Sequence, residues 1–135
     1  MSYPITAIEG IGEEEAAILK KAGIRSSERL LETARTVKGR KVLAEKTGFG
    51  EKQLLCWANK ADRMRIRGVS REYAELLQAA GVDTVKELKY RNPCNLANAM
   101  ADANRKRKLV HLLPSEKVVT RWIEHAKKLP LKISS

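Results

Sequence analysis

Two short stretches of this chain carry the residue types of an anion cradle. Gly10-Ile11-Gly12 and Gly68-Val69-Ser70 each follow an isoleucine, Ile8 or Ile66, and each runs into a helix-forming segment. Small residues in that order let a chain turn sharply and present bare backbone N–H groups at a helix N-terminus, where a phosphate oxygen can be held. The charges around the two turns are opposite. The first runs into Glu13, Glu14 and Glu15, and a phosphate ~6 Å from one carboxylate feels roughly 0.7–2.8 kcal/mol of repulsion, enough to cancel neutral N–H contacts. Those carboxylates suit the helix dipole instead, at about 0.3–1 kcal/mol each. Two readings stand for Gly10 and Gly12: glycines kept for the fold, or an anion site. The second turn lies among Arg63, Arg65, Arg67 and Arg71, which with Gly68 and Ser70 make up the candidate phosphate site. Ser70 stands where a second glycine is expected; it narrows the backbone's approach, while its hydroxyl can donate a hydrogen bond or cap the helix. A solvated arginine surface on an ordinary corner is the competing reading.

A further basic run, Arg105, Lys106, Arg107 and Lys108 in "NRKRK", either tracks a phosphate backbone or is a solvated loop. "RTVKGRK", Arg35 to Lys41 around Gly39, reads as a loop between helices. No aromatic residues interleave with these charges, so single-strand recognition by base stacking has little support. The inventory for catalysis is thin. His111 in "LVHLL" and His125 in "IEHAK" lack metal-protease spacing, and neither a Gly-x-Ser-x-Gly elbow nor a nucleotide phosphate loop is present. His111, beside leucines, reads as a packed residue. Cys94 sits near an expected helix start, a place that can activate a thiol, but no matching base is located beside it; no lysine stands out as a Schiff-base former. Cys56 and Cys94 have neither zinc nor disulfide spacing and read as free thiols. The expectation is a non-enzymatic protein without cofactor or metal.

The elements that must position these residues are short helices. Aromatics make up only 4% of a 135-residue chain that is 43% hydrophobic, so the core rests on Leu, Ile, Val and Ala, without the alternation that marks strands. Residues 8–31 laid over 66–89 give eight identities in 24: Ile8/Ile66, Gly10/Gly68, Glu14/Glu72, Ala16/Ala74, Leu19/Leu77, Ala22/Ala80, Gly23/Gly81 and Leu30/Leu88. "EKQLLCWANKA" (51–61) matches "EKVVTRWIEHA" (116–126) at a shift of 65. In each copy a helix stops at a glycine, Gly23 or Gly81, and the next starts at Ser26 or Thr84, with Glu87 completing a capping box. A third helix is expected near Val42–Lys46, ended by Gly48, and its counterpart near Pro93–Ala103, after Asn92. The longest helices carry Leu54, Trp57, Ala58, Ala61 and Val119, Trp122, Ile123, Ala126 at i, i+3, i+4, i+7, which makes the tryptophans core anchors.

The net charge of +11 attracts polyanions such as nucleic acid or anionic lipid, or simply aids solubility. Residues 1–60 carry +3 and residues 61–135 carry +8, so a polyanion should favour the second half. "MSYPITAIEG" has no basic leader pattern, and no run approaches the ~20 apolar residues of a membrane span. A cytoplasmic protein with no membrane association is expected.

"IEGIGEEEAAILKKAGI" and "IRGVSREYAELLQAAGV" resemble helix-hairpin-helix units, the turns with which many nucleic-acid proteins hold a backbone phosphate. With "ADRMRIRGVSREYAELLQAAGVDTVKEL", "RNPCNLANAMADANRK" and "LPSEKVVTRWIEHAKKL", nearly the whole chain is similar to a bacterial family, a domain of unknown function built from two such units. The resemblance implies an all-α, tandem duplicated helix-hairpin-helix-like bundle: residues 1–62 as a first repeat and 63–135 as a second, more basic one, packed as one compact unit. It also implies a nucleic-acid link. Two functions follow as expectations. One is sequence-independent binding to nucleic acid, DNA foremost, through phosphate contacts of the second turn. The other is a protein–protein interaction scaffold, its acidic first turn docking a basic partner.

Overall fold

The computed structural model describes residues 2–133, and the protein is all-helical, with no strand among them. After a single 3₁₀ turn at Ile5–Ala7 come α1 (Glu13–Lys21), α2 (Ser27–Ala34), α3 (Val37–Thr47), α4 (Glu51–Arg63), α5 (Arg71–Ala79), α6 (Val85–Lys89), α7 (Pro93–Arg107) and α8 (Glu116–Lys128). None of the described helices is long and apolar enough to cross a membrane. The described residues fall into two compact units. The first runs to Arg65 and is joined again at Lys132; the second spans Ile66–Leu131.

In the first unit α2 packs against α3 and α4. The core of this unit buries Leu19, Leu30, Ala34 and Leu43 with the stripe Leu54, Trp57, Ala58 and Ala61 expected from the sequence. The ends of α1 show why the chain turns where it does. Beyond Ala22, Gly23 adopts φ +89°, and the N–H groups of Gly23 and Ile24 donate to Lys20 O (3.0 Å) and Leu19 O (2.9 Å). This paired closure satisfies two carbonyls that the helix leaves open and needs a left-handed residue, which glycine supplies at no steric cost. Ser26 then caps α2, its hydroxyl accepting from Arg29 N at 3.1 Å. Arg40 is buried because it performs the same service at the other end of α2, donating from Nη1 to Ala34 O at 2.9 Å. Lys132, which returns to this unit, donates to the Glu32 carboxylate on α2.

The expected loop around Gly39 is the start of a helix. Thr36 is its N-cap, accepting from Gly39 N at 3.0 Å, and α3 (Val37–Thr47) is closed by its C-cap Gly48 at φ +82°. Gly39 is a glycine for packing: a β-carbon there would run into the Thr33 carbonyl oxygen of α2. A glycine among charged residues looks the same in sequence whether it opens a turn or lets two backbones meet.

In the second unit α8 packs on α6 and α7, and α5 on α7. Leu77, Val82, Leu88, Leu96, Met100, Val119, Trp122 and Ile123 are buried. α5 ends as α1 does, with Gly81 at φ +96° and bonds from Gly81 N to Gln78 O (3.0 Å) and Val82 N to Leu77 O (2.8 Å). Thr84 caps α6 by accepting from Glu87 N at 3.1 Å, but the Glu87 carboxylate reaches back to Asp83 N (3.4 Å), one residue before the cap. α7 is capped by Asn92, whose side chain accepts from Asn95 N, and starts with Pro93, where a missing N–H costs nothing. It extends past Ala103 to Arg107, so "NRKRK" is the last turn of a helix rather than a loop, and Lys108 ends it in the left-handed region at φ +49°. Three cations at a helix C-terminus complement its dipole. His111 is exposed, not packed, as are its neighbours Leu112 and Leu113. Cys56 is half-buried and Cys94 exposed, both as free thiols.

Candidate functional site

The two glycine turns have nearly the same backbone. Gly10 and Gly68 adopt φ +93° and +89°. The residues before the helices match as well, Gly12 at φ −88°, ψ −171° and Ser70 at φ −87°, ψ −174°. Each first glycine also faces the indole of its own unit's tryptophan. A β-carbon at Gly10 would stand 3.3 Å from Trp57 Nε1, and one at Gly68 would stand 3.3 Å from Trp122 Nε1. Both tryptophans are 3% exposed. They are core anchors that press on the turns, Trp57 edge-on to Phe49 at 4.9 Å and Trp122 tilted against Tyr73 at 5.3 Å.

The chemistry at the two turns differs. In the first, Glu15 Oε1 accepts from Gly12 N at 2.8 Å, so a carboxylate of the protein already occupies the place of an incoming anion. Lys60, on α4, donates from Nζ to Glu9 O at 3.0 Å and closes the other side. In the second, the residue at the place of Glu15 is Tyr73, whose hydroxyl turns away to donate to Leu112 O at 2.9 Å. Ser70 makes no side-chain cap; its hydroxyl donates to Glu72 Oε2 at 3.3 Å. At the place of Lys60 is His125, on α8, whose Nδ1 accepts from Arg67 N at 2.9 Å.

Beside this second turn lies a cleft of about 740 Å³ walled by Arg67 and Gly68 of the turn, Tyr73 of α5, and Arg121, Trp122, Glu124, His125 and Lys128 among the residues of α8. Arg67, Arg121 and Lys128 are exposed at its rim. Its one carboxylate, Glu124, pairs with Lys127 at 3.3 Å. Three cations around a concave surface backed by aromatic rings raise the local concentration of anions.

The ten residues expected to bind nucleic acid divide into three groups. Arg67 and Gly68 line the cleft, and Ser70 and Arg71 open α5 next to them. Arg63 and Arg65 belong to the first unit. Arg63 is 2% exposed, and Arg65 donates to Asp62 Oδ1 from Nε at 2.7 Å and from Nη2 at 2.5 Å. The Arg65 guanidinium is held by Asp62 and the Arg63 side chain is buried in the first unit, so both serve the fold there. Arg105, Lys106, Arg107 and Lys108 sit at the end of α7, away from the cleft's walls. Arg105 pairs with Asp102, and Lys106 and Arg107 border a separate hollow of about 330 Å³ with Ala79, Ala80 and Ala99. Arg121, His125 and Lys128 stand outside the set expected from the sequence to bind nucleic acid, His125 having been weighed only for metal or catalytic spacing. Their signal was the spacing i, i+4, i+7 on the face of α8 beside the tryptophan stripe, and the alignment of His125 with Lys60 at the 65-residue shift.

A family model described as Domain of unknown function (DUF4332) matches residues 9–129. No curated protein and no solved structure matches the chain.

Proposed function

The chain belongs to the DUF4332 family, and because membership assigns no activity, we propose one from the chemistry of the second turn: sequence-independent binding of a nucleic-acid backbone, without catalysis. The proposal takes the two matching turns as duplicated helix-hairpin-helix-like units of which the second is the binding one. The observation that carries it is the contrast at the helix starts. The first turn's N–H is taken by Glu15, whereas the second opens beside a cleft rimmed by Arg67, Arg121 and Lys128. Phosphate contacts of this kind position a backbone and carry no base readout.

About three neutralised phosphates give a log–log salt slope of about −2.7 and an affinity in the ~10⁻⁴–10⁻⁶ M range of non-specific contacts at physiological salt. Raising salt from about 50 to about 200 mM then weakens binding about 40-fold. The test is fluorescence anisotropy with labelled duplex DNA, single-stranded DNA and RNA of mixed sequence at both salt levels. The double substitution Arg67→Glu, Arg121→Glu should lower affinity at least tenfold, while Glu13→Lys with Glu15→Lys should change it little. Tight selection of one sequence, or no binding at the lower salt, would refute the proposal. In the second case the exposed Leu112 (76%) and Leu113 (42%) favour the scaffold reading, in which these side chains meet a protein partner.

A further inference from the structure

Lys60 and His125 stand at the same place on α4 and α8 and reach the same place before the glycine turn, Glu9 and Arg67, yet with opposite chemistry. Lys60 Nζ donates to the Glu9 carbonyl, whereas His125 Nδ1 accepts from the Arg67 N–H. A donating ammonium already carries the proton its bond uses, whereas an accepting ring nitrogen loses its bond when it takes a proton up. A ring nitrogen that accepts a hydrogen bond carries no proton, so His125 in this arrangement is the neutral imidazole with its proton on Nε2.

Protonation would place a hydrogen on Nδ1, so that two N–H groups would face each other across 2.9 Å, and the bond must open. Two things then change together. The Arg67 N–H is released beside Gly68, and the cleft gains a fourth positive charge next to Arg67, Arg121 and Lys128. Both favour an anion. The other titratable or charged groups that share the cleft with His125 are Tyr73 on α5 and Glu124 on α8, and neither α6 nor α7, which pack on α8, contributes to its walls. Glu124 is held by Lys127.

We propose that His125 couples anion binding at the second turn to the uptake of one proton, so that the cleft is closed by its own imidazole at alkaline pH and opened at acid pH. This rests on the reading of the cleft as a phosphate site. Coupling to one proton makes the affinity fall by up to tenfold per pH unit through the imidazole range.

The experiment is anisotropy of the full chain with a labelled mixed-sequence DNA duplex at fixed low salt, from about pH 5.5 to about pH 8. His111, exposed and the other of the chain's two histidines, is the control. Wild type and His111→Asn should share the pH slope. His125→Asn should flatten it, and His125→Lys, which copies the first unit's residue, should flatten it at the level wild type reaches in acid. Without DNA, the Arg67 amide resonance should move with the same midpoint as the His125 ring. A slope that survives in His125→Asn, a slope that follows His111, or an Arg67 amide that ignores the ring's titration overturns the proposal. Binding that is present but independent of pH defeats the coupling alone. Absence of binding by wild type at every pH defeats the phosphate site as well.

Discussion

Replacing Gly68 by alanine tests whether the second turn is fixed by backbone conformation alone or also by the indole behind it. At φ +89° an alanine pays a left-handed penalty of about 1–2 kcal/mol. Its methyl would stand 3.3 Å from Nε1 of Trp122, a ring that is 3% exposed and cannot swing aside. Crowding a packed core in this way adds about 1–2 kcal/mol, near the low end of overpacking costs. Gly81→Ala is the matched control in the same unit. Its φ of +96° brings the same backbone penalty, but its methyl would meet only the flexible tip of Arg91 at 3.9 Å. The chain has two tryptophans, one in each unit, so a Trp57→Phe background leaves Trp122 as a fluorescent reporter of the second unit alone. In urea and thermal melts followed by that signal, Gly68→Ala should lose at least about 1 kcal/mol more than Gly81→Ala, a Tm gap of roughly 4–8 °C for a unit of this size. Equal losses within ~0.5 kcal/mol would show that the indole does not constrain the turn.

In a Trp122→Phe background, where Trp57 reports the first unit, Thr36→Ala should cost about 1 kcal/mol by removing the acceptor for Gly39 N; no loss would return Arg35–Lys41 to a loop. The Glu32 carboxyl is held below its ordinary range by the hydrogen bond from Lys132, joined by the charges of Lys132, Arg35 and Arg65. A folded pKa below the unfolded one gives stability that is present above the ordinary carboxylate value and lost as pH falls through the lowered value. The pair is surface-exposed, so the effect belongs in a carboxyl NMR titration rather than a melt: Lys132→Met should move Glu32 back up, and an unmoved titration would show the pair to be unimportant in solution.

What the sequence disclosed was whatever recurs at helical spacing. The tryptophan stripes and the stop signals at Gly23 and Gly81 are periodic or punctuating, and their physical cause is local. The start of α3 escaped because Gly39 is explained by the Thr33 carbonyl of another helix, a contact with no local signature. The end of α7 escaped because a run of four cations reads as solvated whether coiled or helical. The candidate site was half legible. Arg67 and Gly68 were named from the turn itself, but Arg63 and Arg65, equally basic neighbours in sequence, are turned to the first unit by Asp62 and by burial. Adjacency along a chain says nothing of the side on which a helix ends. Arg121, His125 and Lys128 come from about 50–60 residues further on, and only the fold brings α8 to the turn.

The return of Lys132 to Glu32, separated by 100 residues, makes the first unit discontinuous along the chain. During synthesis the segment through Arg65 leaves the ribosome with its apolar stripe complete and can collapse before the second unit exists, since domains fold as units from the N-terminus onward. Only after Ile66–Leu131 has been made does the residue that ties α2 from outside emerge. In chain order the second unit is therefore a guest, an insertion between two stretches of its host. A refolding chain that closed the 32–132 contact early would enclose residues 66–131 in a single loop, whereas vectorial synthesis delays that closure until those residues have been made.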